Sequence, residues 1–218
     1  MERNVPKPEV IGSVASTYTR AVRMVCEEKG IEYTLTETQL TAPELFTVHP
    51  LGKMPVLRHG DVRLFESKAI ATYLDRVFAG PQMFPSAPLP AALTEQWVSF
   101  VNTVVDRTFI RTYLYAYIAA RLGNREPDRN AIVSVLPDLH RQIAILNEAV
   151  KPTGFLVGER FTFADINLMP ILHRLSQAPE GNDALAGAAH LSKYYEQHAK
   201  RDSFQRTNPP EGPPSRAK

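Results

Sequence analysis

The spacing of hydrophobic and polar residues changes repeatedly between residues 9 and 78. Short strand-like runs at 9–12 and 32–36 stand on either side of a helical pattern over Thr17–Lys29. Val22, Val25 and Cys26 share one face of that helix. Gly30 follows it directly and is placed to end it. This part of the chain therefore predicts a strand, a helix and a second strand.

A hairpin and a further helix are predicted downstream. Residues 55–58 and Val62–Phe65 flank His59-Gly60-Asp61, in which glycine supplies a permissive turn conformation. A helix follows from Ser67. Its inward positions are predicted to be Ile70, Tyr73, Leu74 and Val77. The resulting order, βαβ then ββα, is typical of a thioredoxin-like α/β domain, although the spacing alone also permits other small layers of helices on a sheet.

After residue 90 the pattern is helical throughout. A first long helix is predicted from apolar residues three and four positions apart, namely Leu93, Trp97, Phe100, Val101 and Val104. Residues 123–127 contain glycine and proline and break it. A second apolar stripe runs from Ile132 to Val150, with Pro137 as a predicted kink. We therefore predict an all-α helical bundle.

The proline-rich stretch between the two patterns suggests a connection. Four prolines lie in residues 80–90, which argues against a helix or a central strand there. The end of the chain also has four prolines and no apolar period, which favours disorder. The predicted organisation is a thioredoxin-like domain over 1–80, a linker over 81–91, an all-helical domain over 92–206 and a disordered tail over 207–218.

One motif in the helical region is interpreted as structural. Thr162 can cap a helix whose third residue, Asp165, reaches back to the capping amide, and Phe161 and Ile166 can pack across the same turn. We read Thr162 and Asp165 as a capping box rather than as site residues.

Composition and charge exclude several classes of function. The 218 residues are 44% hydrophobic and 22% charged, as in ordinary globular proteins. The net charge of +2 comes from scattered basic residues, so no nucleic acid partner is expected. Cys26 is the only cysteine, no run of about 20 apolar residues is present, and the beginning of the sequence does not resemble a signal peptide. We expect a cytoplasmic protein that neither binds nor spans a membrane.

Familiar signatures of other enzymes are missing. The sequence has no glycine-rich phosphate loop, nucleophile elbow or helical His-Glu-x-x-His. The six histidines lack the spacing of metal ligands, so no metal is expected. The candidate chemistry lies instead in three segments of the first domain: 16–20, 50–57 and 64–70.

The middle segment contains Met54-Pro55 just before a predicted strand. A proline there leaves the backbone N–H and C=O of Met54 unpaired, and a cis bond would turn them outward, where an extended peptide could pair with them. An ordinary trans proline at a strand start is the alternative.

Glu66 and Ser67 lie where a strand gives way to a helix. The free amides and dipole of the helix N-terminus favour an anionic group near Ser67, and Glu66 can pair with an ammonium group. Together they match the head group of an amino acid. Alone, such a pair is more often a capping serine and a solvated glutamate.

Ser16 precedes the first helix. Its hydroxyl and the helix amides can donate toward a thiolate and thereby make the thiol more acidic. A simple N-cap is the structural alternative.

Taken in this order, the three segments resemble those of the cytosolic glutathione transferases. The most specific motifs are Pro-Leu-Gly-Lys-Met-Pro-Val-Leu and Glu-Ser-Lys-Ala-Ile, and Phe-Thr-Phe-Ala-Asp-Ile-Asn-Leu-Met-Pro resembles the family's capping box. The resemblance covers nearly the whole chain. It implies that Met54 and cis-Pro55 hold the cysteinyl unit of glutathione, that Glu66 and Ser67 hold its γ-glutamyl end, and that Lys53 lies alongside.

The same resemblance implies a role for Ser16. The Ser-x-x-x-Arg-x-Val pattern resembles the serine-type classes, in which this serine activates the sulfur, and Ser13, Thr17 and Tyr18 are the possible substitutes. Thr17 stands where relatives often have proline. The residue that meets the glycyl carboxylate is unassigned.

A glutathione transferase is therefore the predicted function, with glutathione as co-substrate and a small apolar electrophile or hydroperoxide as second substrate. The family resemblance also implies a homodimer. Aromatic side chains are candidates for the second-substrate site, although such spacing is also typical of a core: Tyr18, Phe109, Tyr113 and Tyr117. The alternatives are a glutathione-dependent isomerase or reductase, although the isomerases' Ser-Ser-Cys run is missing, and a non-catalytic protein that binds ligands or other proteins.

Overall fold

The computed structural model describes residues 6–210 and divides them into two compact units. Described residues up to Met83 and from Arg201 onwards form the first unit, and Phe84–Lys200 form the second. The first unit thus takes in the end of the described chain, whereas the sequence pattern predicts that these residues belong to the helical domain and the tail.

The first unit has the predicted order of strands and helices. Its elements are β1 (Glu9–Ile11), α1 (Thr17–Lys29), β2 (Thr34–Thr36), α2 (Pro43–Phe46), β3 (Val56–His59), β4 (Val62–Phe65) and α3 (Ser67–Val77). The strands lie in the order β2-β1-β3-β4, with β1 and β2 parallel and the other pairs antiparallel. This mixed sheet with its helices confirms the thioredoxin-like α/β arrangement.

Local signals end the elements of this unit as expected. Gly30 has a φ of 65° and ends α1 in the left-handed conformation, and Gly60 has a φ of 56° in the β3–β4 turn. Ile70 and Leu74 of α3 are fully buried. Val77 was wrongly predicted to face inward. It is 47% exposed because it is the last residue of α3, where the chain leaves the sheet.

The second unit is all-helical, as predicted. It comprises α4 (Pro88–Phe100), a π-helical segment (Val101–Leu114), α5 (Tyr115–Leu122), α6 (Arg129–Val150), α7 (Phe163–Leu175), α8 (Pro179–Ala186) and α9 (Ala189–His198). The predicted linker over 81–91 is too long, because α4 already begins at Pro88. Prolines are compatible with a first helical turn, where the amide would have no intrahelical partner.

The π-helical segment alters which side chains are buried. In it, hydrogen bonds reach back five residues instead of four, so a turn contains more residues. Fully buried apolar residues recur every fourth position, at Val101, Val105, Phe109 and Tyr113, and Leu114 is also buried. Val104, which belongs to the apolar stripe that predicted this helix, is 36% exposed.

A capping box starts α7. The Asp165 side chain accepts a hydrogen bond from the Thr162 amide at 2.8 Å, and the Thr162 side chain accepts the reciprocal bond from the Asp165 amide. Asp165 is completely buried and also accepts from the Leu156 amide at 2.9 Å and the Tyr194 hydroxyl at 3.0 Å. The motif joins α7 to the preceding loop and to α9.

The last helix, α10 (Asp202–Arg206), packs against α1 within the first unit. The buried guanidinium of Arg20 lies 4.0 Å from the centre of the Phe204 ring and donates to the Phe204 carbonyl at 3.0 Å. Thr207 is fully buried, so disorder does not begin at residue 207 as predicted. The remainder of the predicted tail, 211–218, lies outside the described residues. No helix within residues 6–210 is both long and apolar enough to cross a membrane.

Candidate functional site

The register of the sheet gathers the three sequence segments at one edge. Ile11 pairs with Val56, and Val56 pairs with Phe65 on its other side. The residues next to these three positions are Gly12, Pro55 and Glu66. The loop after β1, the segment before β3 and the start of α3 therefore meet at the same end of the sheet.

Ser16 caps α1 at this edge. Its Oγ accepts a hydrogen bond from the Thr19 amide at 3.2 Å, and its own amide donates to the Ser13 carbonyl at 3.1 Å. The first turn of α1 contains no acidic residue. Its amides and dipole therefore present uncompensated positive charge beside Ser16.

Gly12 allows α1 to begin close to β1. A β-carbon at this position would overlap Thr19 Oγ1, and Thr19 is fully buried. The Gly12 amide also donates to the Thr36 carbonyl at 3.0 Å and continues the β1–β2 pairing. Glycine is thus required for close approach.

Met54 and Pro55 lie between this loop and the start of β3. The peptide bond between them is cis, and Pro55 is buried. The Ser13 amide lies 3.1 Å from Met54 Sδ. Within residues 6–210, the backbone N–H and C=O of Met54 have no hydrogen-bond partner. The neighbouring Lys53 is exposed.

Glu66 and Ser67 form the turn from β4 into α3. Glu66 has a φ of 67°, an uncommon conformation for a residue with a side chain. Ser67 is the first residue of α3 and is 7% exposed, whereas the Glu66 side chain is 71% exposed. The first turn of α3 contains no acidic residue. A strained glutamate therefore stands directly before an open helix N-terminus.

His49 also reaches this edge, although no motif in the sequence predicts a role for it. Its Nε2 lies 3.7 Å from Glu66 Oε1, and its ring centre lies 4.8 Å from that of Phe65. The spacing of the six histidines argues only against metal ligation and indicates no role for His49. The available signal was the position of His49 directly before the Pro-Leu-Gly-Lys-Met-Pro motif. Within the described residues, no three His, Cys, Asp or Glu side chains form a group that could hold a metal ion.

The candidates for a second-substrate site have different surroundings. Tyr18 lies in the first turn of α1 and is partly exposed. Phe109 and Tyr113, in the helical unit, are fully buried, so protein atoms already cover their surfaces. Tyr117 remains partly exposed, and its hydroxyl donates to Glu180 at 2.5 Å.

Glu180 organises a polar cluster in the helical unit. It accepts hydrogen bonds from the Tyr113 and Tyr117 hydroxyls and forms an ion pair with Arg129 at 2.8 Å. Burial by itself would raise the pKa of Glu180, but the hydrogen bonds, with that from Tyr117 the largest, lower it to about 2. The carboxylate is therefore ionised and fully engaged near neutral pH.

Cys26 differs from an activated thiol. It is fully buried in α1, and burial, with a smaller contribution from Glu27, raises its pKa to about 12. It behaves as a small apolar core residue without nucleophilic character.

Comparison with known proteins gives matches along most of the chain. The model of the glutathione S-transferase N-terminal domain matches residues 15–77, and the model of the C-terminal domain matches residues 97–202. Glutathione S-transferase F12 of Arabidopsis thaliana is 25% identical over 209 residues, which cover 91% of this chain and 95% of the relative.

Solved structures show the same fold. Glutathione transferase F7 from Populus trichocarpa has a TM-score of 0.84 at 22% identity, over 92% of this chain and 97% of that one. A glutathione S-transferase-I solved with lactoylglutathione has a TM-score of 0.84 at 21% identity, over 93% of this chain and 98% of that one. The two domain models, one after the other, and the full-length relative show that this chain belongs to the glutathione S-transferase family and is an enzyme of that kind.

Proposed function

We propose that this transferase binds glutathione at the edge formed by the β1–α1 loop, Met54 and the start of α3, and that Ser16 stabilises its thiolate. The thiolate then attacks an electrophilic carbon or an organic hydroperoxide. The observation that supports this most strongly is the sheet register, since pairing of Ile11, Val56 and Phe65 brings all three segments together.

The γ-glutamyl end of glutathione fits Glu66 and Ser67. This amino-acid head group carries a carboxylate and an ammonium group. The N-terminus of α3, which has no acidic residue in its first turn, suits the carboxylate, and the exposed Glu66 side chain suits the ammonium. We assign these two groups accordingly.

The cysteinyl unit fits the backbone of Met54. The N–H and C=O of Met54 have no hydrogen-bond partner within residues 6–210. They directly precede Pro55 and β3, and β3 itself is already paired with β1 and β4. An extended peptide can hydrogen-bond to them as an added strand does. Lys53, which is exposed beside this backbone, adds positive charge near the tripeptide.

The surroundings of Ser16 suit a thiolate. Its oxygen accepts from the Thr19 amide, so its hydroxyl hydrogen stays available to donate. Lowering a thiol pKa from about 8.5 to about 6.5 requires about 2.7 kcal/mol. A charge-assisted hydrogen bond contributes about 1.5–3 kcal/mol and a helix terminus about 0.3–1 kcal/mol. The two together account for an activated thiol at neutral pH.

Further parts of the proposal follow from the family. We propose a cytoplasmic homodimer whose second substrate is a small apolar electrophile. Of the aromatic candidates, Tyr18 and Tyr117 are each partly exposed, whereas Phe109 and Tyr113 are buried. Activity confined to unsaturated diacids would favour the isomerase alternative, and absence of glutathione binding would favour the non-catalytic one.

Replacing Ser16 by alanine tests the mechanism. At pH 7 the thiolate fraction should fall from most of the bound glutathione to a few per cent, so kcat/KM with an activated halide should fall about 25-fold. The Kd for glutathione, measured by calorimetry, should change much less. Ultraviolet absorbance over pH reports the bound thiolate, and Cys26, with its pKa of about 12, adds no signal in that range.

Ser134→Ala serves as the control, because Ser134 is an exposed serine of α6. It should match the unaltered protein in activity and in thiolate titration. Full activity in Ser16→Ala would refute the role of Ser16. Ser13→Ala, Thr17→Val and Tyr18→Phe would then identify which neighbour activates the thiol.

A further inference from the structure

The side chain of His49 is fixed on the protein side of the site. His49 is 5% exposed, its Nδ1 accepts from the Leu51 amide at 3.0 Å, and its ring packs against Phe65. Its own amide donates at 2.7 Å to the carbonyl of Leu45, a fully buried core residue. Both backbone and ring are thereby held in place.

The hydrogen bond from Leu51 determines which ring nitrogen carries the proton. Because Nδ1 acts as acceptor, the neutral ring has its hydrogen on Nε2. Nε2 is the atom that lies 3.7 Å from Glu66 Oε1. The imidazole therefore directs an N–H toward the glutamate carboxylate.

Glu66 needs such a partner. Its side chain is 71% exposed, and within residues 6–210 His49 is the only side chain in ion-pair range of its carboxylate. A long exposed side chain without a fixed neighbour populates several rotamers, and restricting it to one costs conformational entropy when a ligand binds. A rigid neighbour reduces that cost.

We propose that His49 is a positioning residue that orients Glu66 toward the ammonium group of the γ-glutamyl unit of glutathione. This inference rests on the proposed function. His49 also belongs to the loop that leads to Met54, since the Gly52 amide donates to its carbonyl at 3.0 Å. Through its backbone and its ring, His49 thus links the cysteinyl-binding segment to the γ-glutamyl-binding residue.

Two substitutions distinguish the roles of the two ring nitrogens of His49. In His49→Asn the amide oxygen can replace Nδ1 as acceptor for the Leu51 amide, but the shorter side chain cannot reach Glu66. In His49→Gln the longer side chain can bring an N–H toward Glu66. His49→Asn therefore retains the support of the loop and loses the positioning, and His49→Gln tests rescue.

The measurement compares glutathione with N-acetylglutathione, which lacks the ammonium group. The unaltered protein should bind glutathione more tightly than the acetylated form, as measured by calorimetry. His49→Asn should weaken glutathione binding about fivefold, the worth of about one hydrogen bond. It should leave the Kd for N-acetylglutathione almost unchanged, so the preference for glutathione over the acetylated form should fall by the same factor. His49→Gln should restore most of it.

A Glu66→Gln background provides the second readout. If His49 acts through the Glu66 carboxylate, His49→Asn should have little further effect on glutathione binding in that background. Equal weakening toward both ligands, or the same fivefold loss without the carboxylate, would overturn the inference and leave His49 a structural residue. Failure of the unaltered protein to bind glutathione would instead overturn the proposed function, and this inference with it.

Discussion

The pair Lys29–Asp75 offers a sharp test of what holds the first unit together. Lys29 Nζ lies 3.1 Å from Asp75 Oδ1, and the two side chains are only 1% and 5% exposed. Lys29 also donates to the Pro81 carbonyl at 3.0 Å, and Asp75 accepts from the Met83 amide at 2.8 Å. The pair therefore ties α1 to α3 and to the chain that leaves this unit.

The cost of breaking the pair follows from its burial. At an effective dielectric constant near 20, charges about 3 Å apart attract by about 5 kcal/mol, which roughly offsets the loss of their hydration. Removing one partner leaves the other buried and unpaired, so Lys29→Met should destabilise the unit by about 3–5 kcal/mol. In Lys29→Met with Asp75→Leu no charge remains. The main loss is then the partner of the Met83 amide, about 1–3 kcal/mol.

Two probes report the units separately during urea unfolding. Labelling of Cys26, the only cysteine, reports the first unit, because this thiol is fully buried in α1. Fluorescence of Trp97, the only tryptophan, reports the helical unit. Lys29→Met should lower the Cys26 labelling midpoint by about 2 M urea, given a slope of about 2 kcal/mol per molar urea.

The double substitution tests whether the unpaired buried charge, rather than the loss of native contacts, causes the instability of Lys29→Met. It should be more stable than Lys29→Met alone, although it removes more of the native structure. A loss below about 1 kcal/mol for Lys29→Met, or a double variant as unstable as the single one, would refute the reasoning that an unpaired buried charge dominates.

Two further predictions concern packing and acid stability. Gly12→Ala adds a β-carbon that overlaps Thr19, so it should cost about 1–3 kcal/mol by the Cys26 assay and reduce glutathione turnover. Gly187→Ala is the control and should change neither, because its β-carbon would lie 3.5 Å from the Asp183 carbonyl oxygen, an ordinary contact distance. The folded-state pKa of Glu180, about 2, lies below its usual value of 4.5, so its stabilising contribution is complete above about pH 4.5 and is lost as the pH falls toward 2. Glu180→Gln should flatten that part of the pH–stability profile followed by Trp97 fluorescence, and an unchanged profile would contradict the assignment.

Much of the fold could be predicted because its signals are local. Gly30 ends α1 through its own backbone conformation, and the Thr162–Asp165 capping box needs only four consecutive residues. The predictions failed where a neighbouring element or a change of helix type intervened. Val101 begins the π-helical segment and is fully buried, and the next fully buried apolar residue is Val105, so the spacing that led to Val104 did not mark the buried face.

The candidate site was predictable to a similar extent. The motifs around Ser16, Met54 and Glu66 are contiguous in sequence, and they were proposed from it. The role of His49 could not be predicted, because the approach of its ring to Glu66 depends on a hydrogen bond from the Leu51 amide and on packing against Phe65. Such contacts leave no periodic pattern in the sequence. The aromatic residues at helical spacing were ambiguous, since spacing does not distinguish a core face from a ligand face.

The sequence by itself determined the order of the strands and helices, the change from a mixed sheet to helices, and the motifs that identify the family, because these depend on neighbouring residues. Only the tertiary structure decided that Ile11, Val56 and Phe65 align, so that three separate segments share one edge. It also decided that the last helix returns to α1, where Arg20 contacts Phe204 across 184 positions of sequence. Such contacts arise from the packing of whole elements, and the local pattern of the chain carries no record of them.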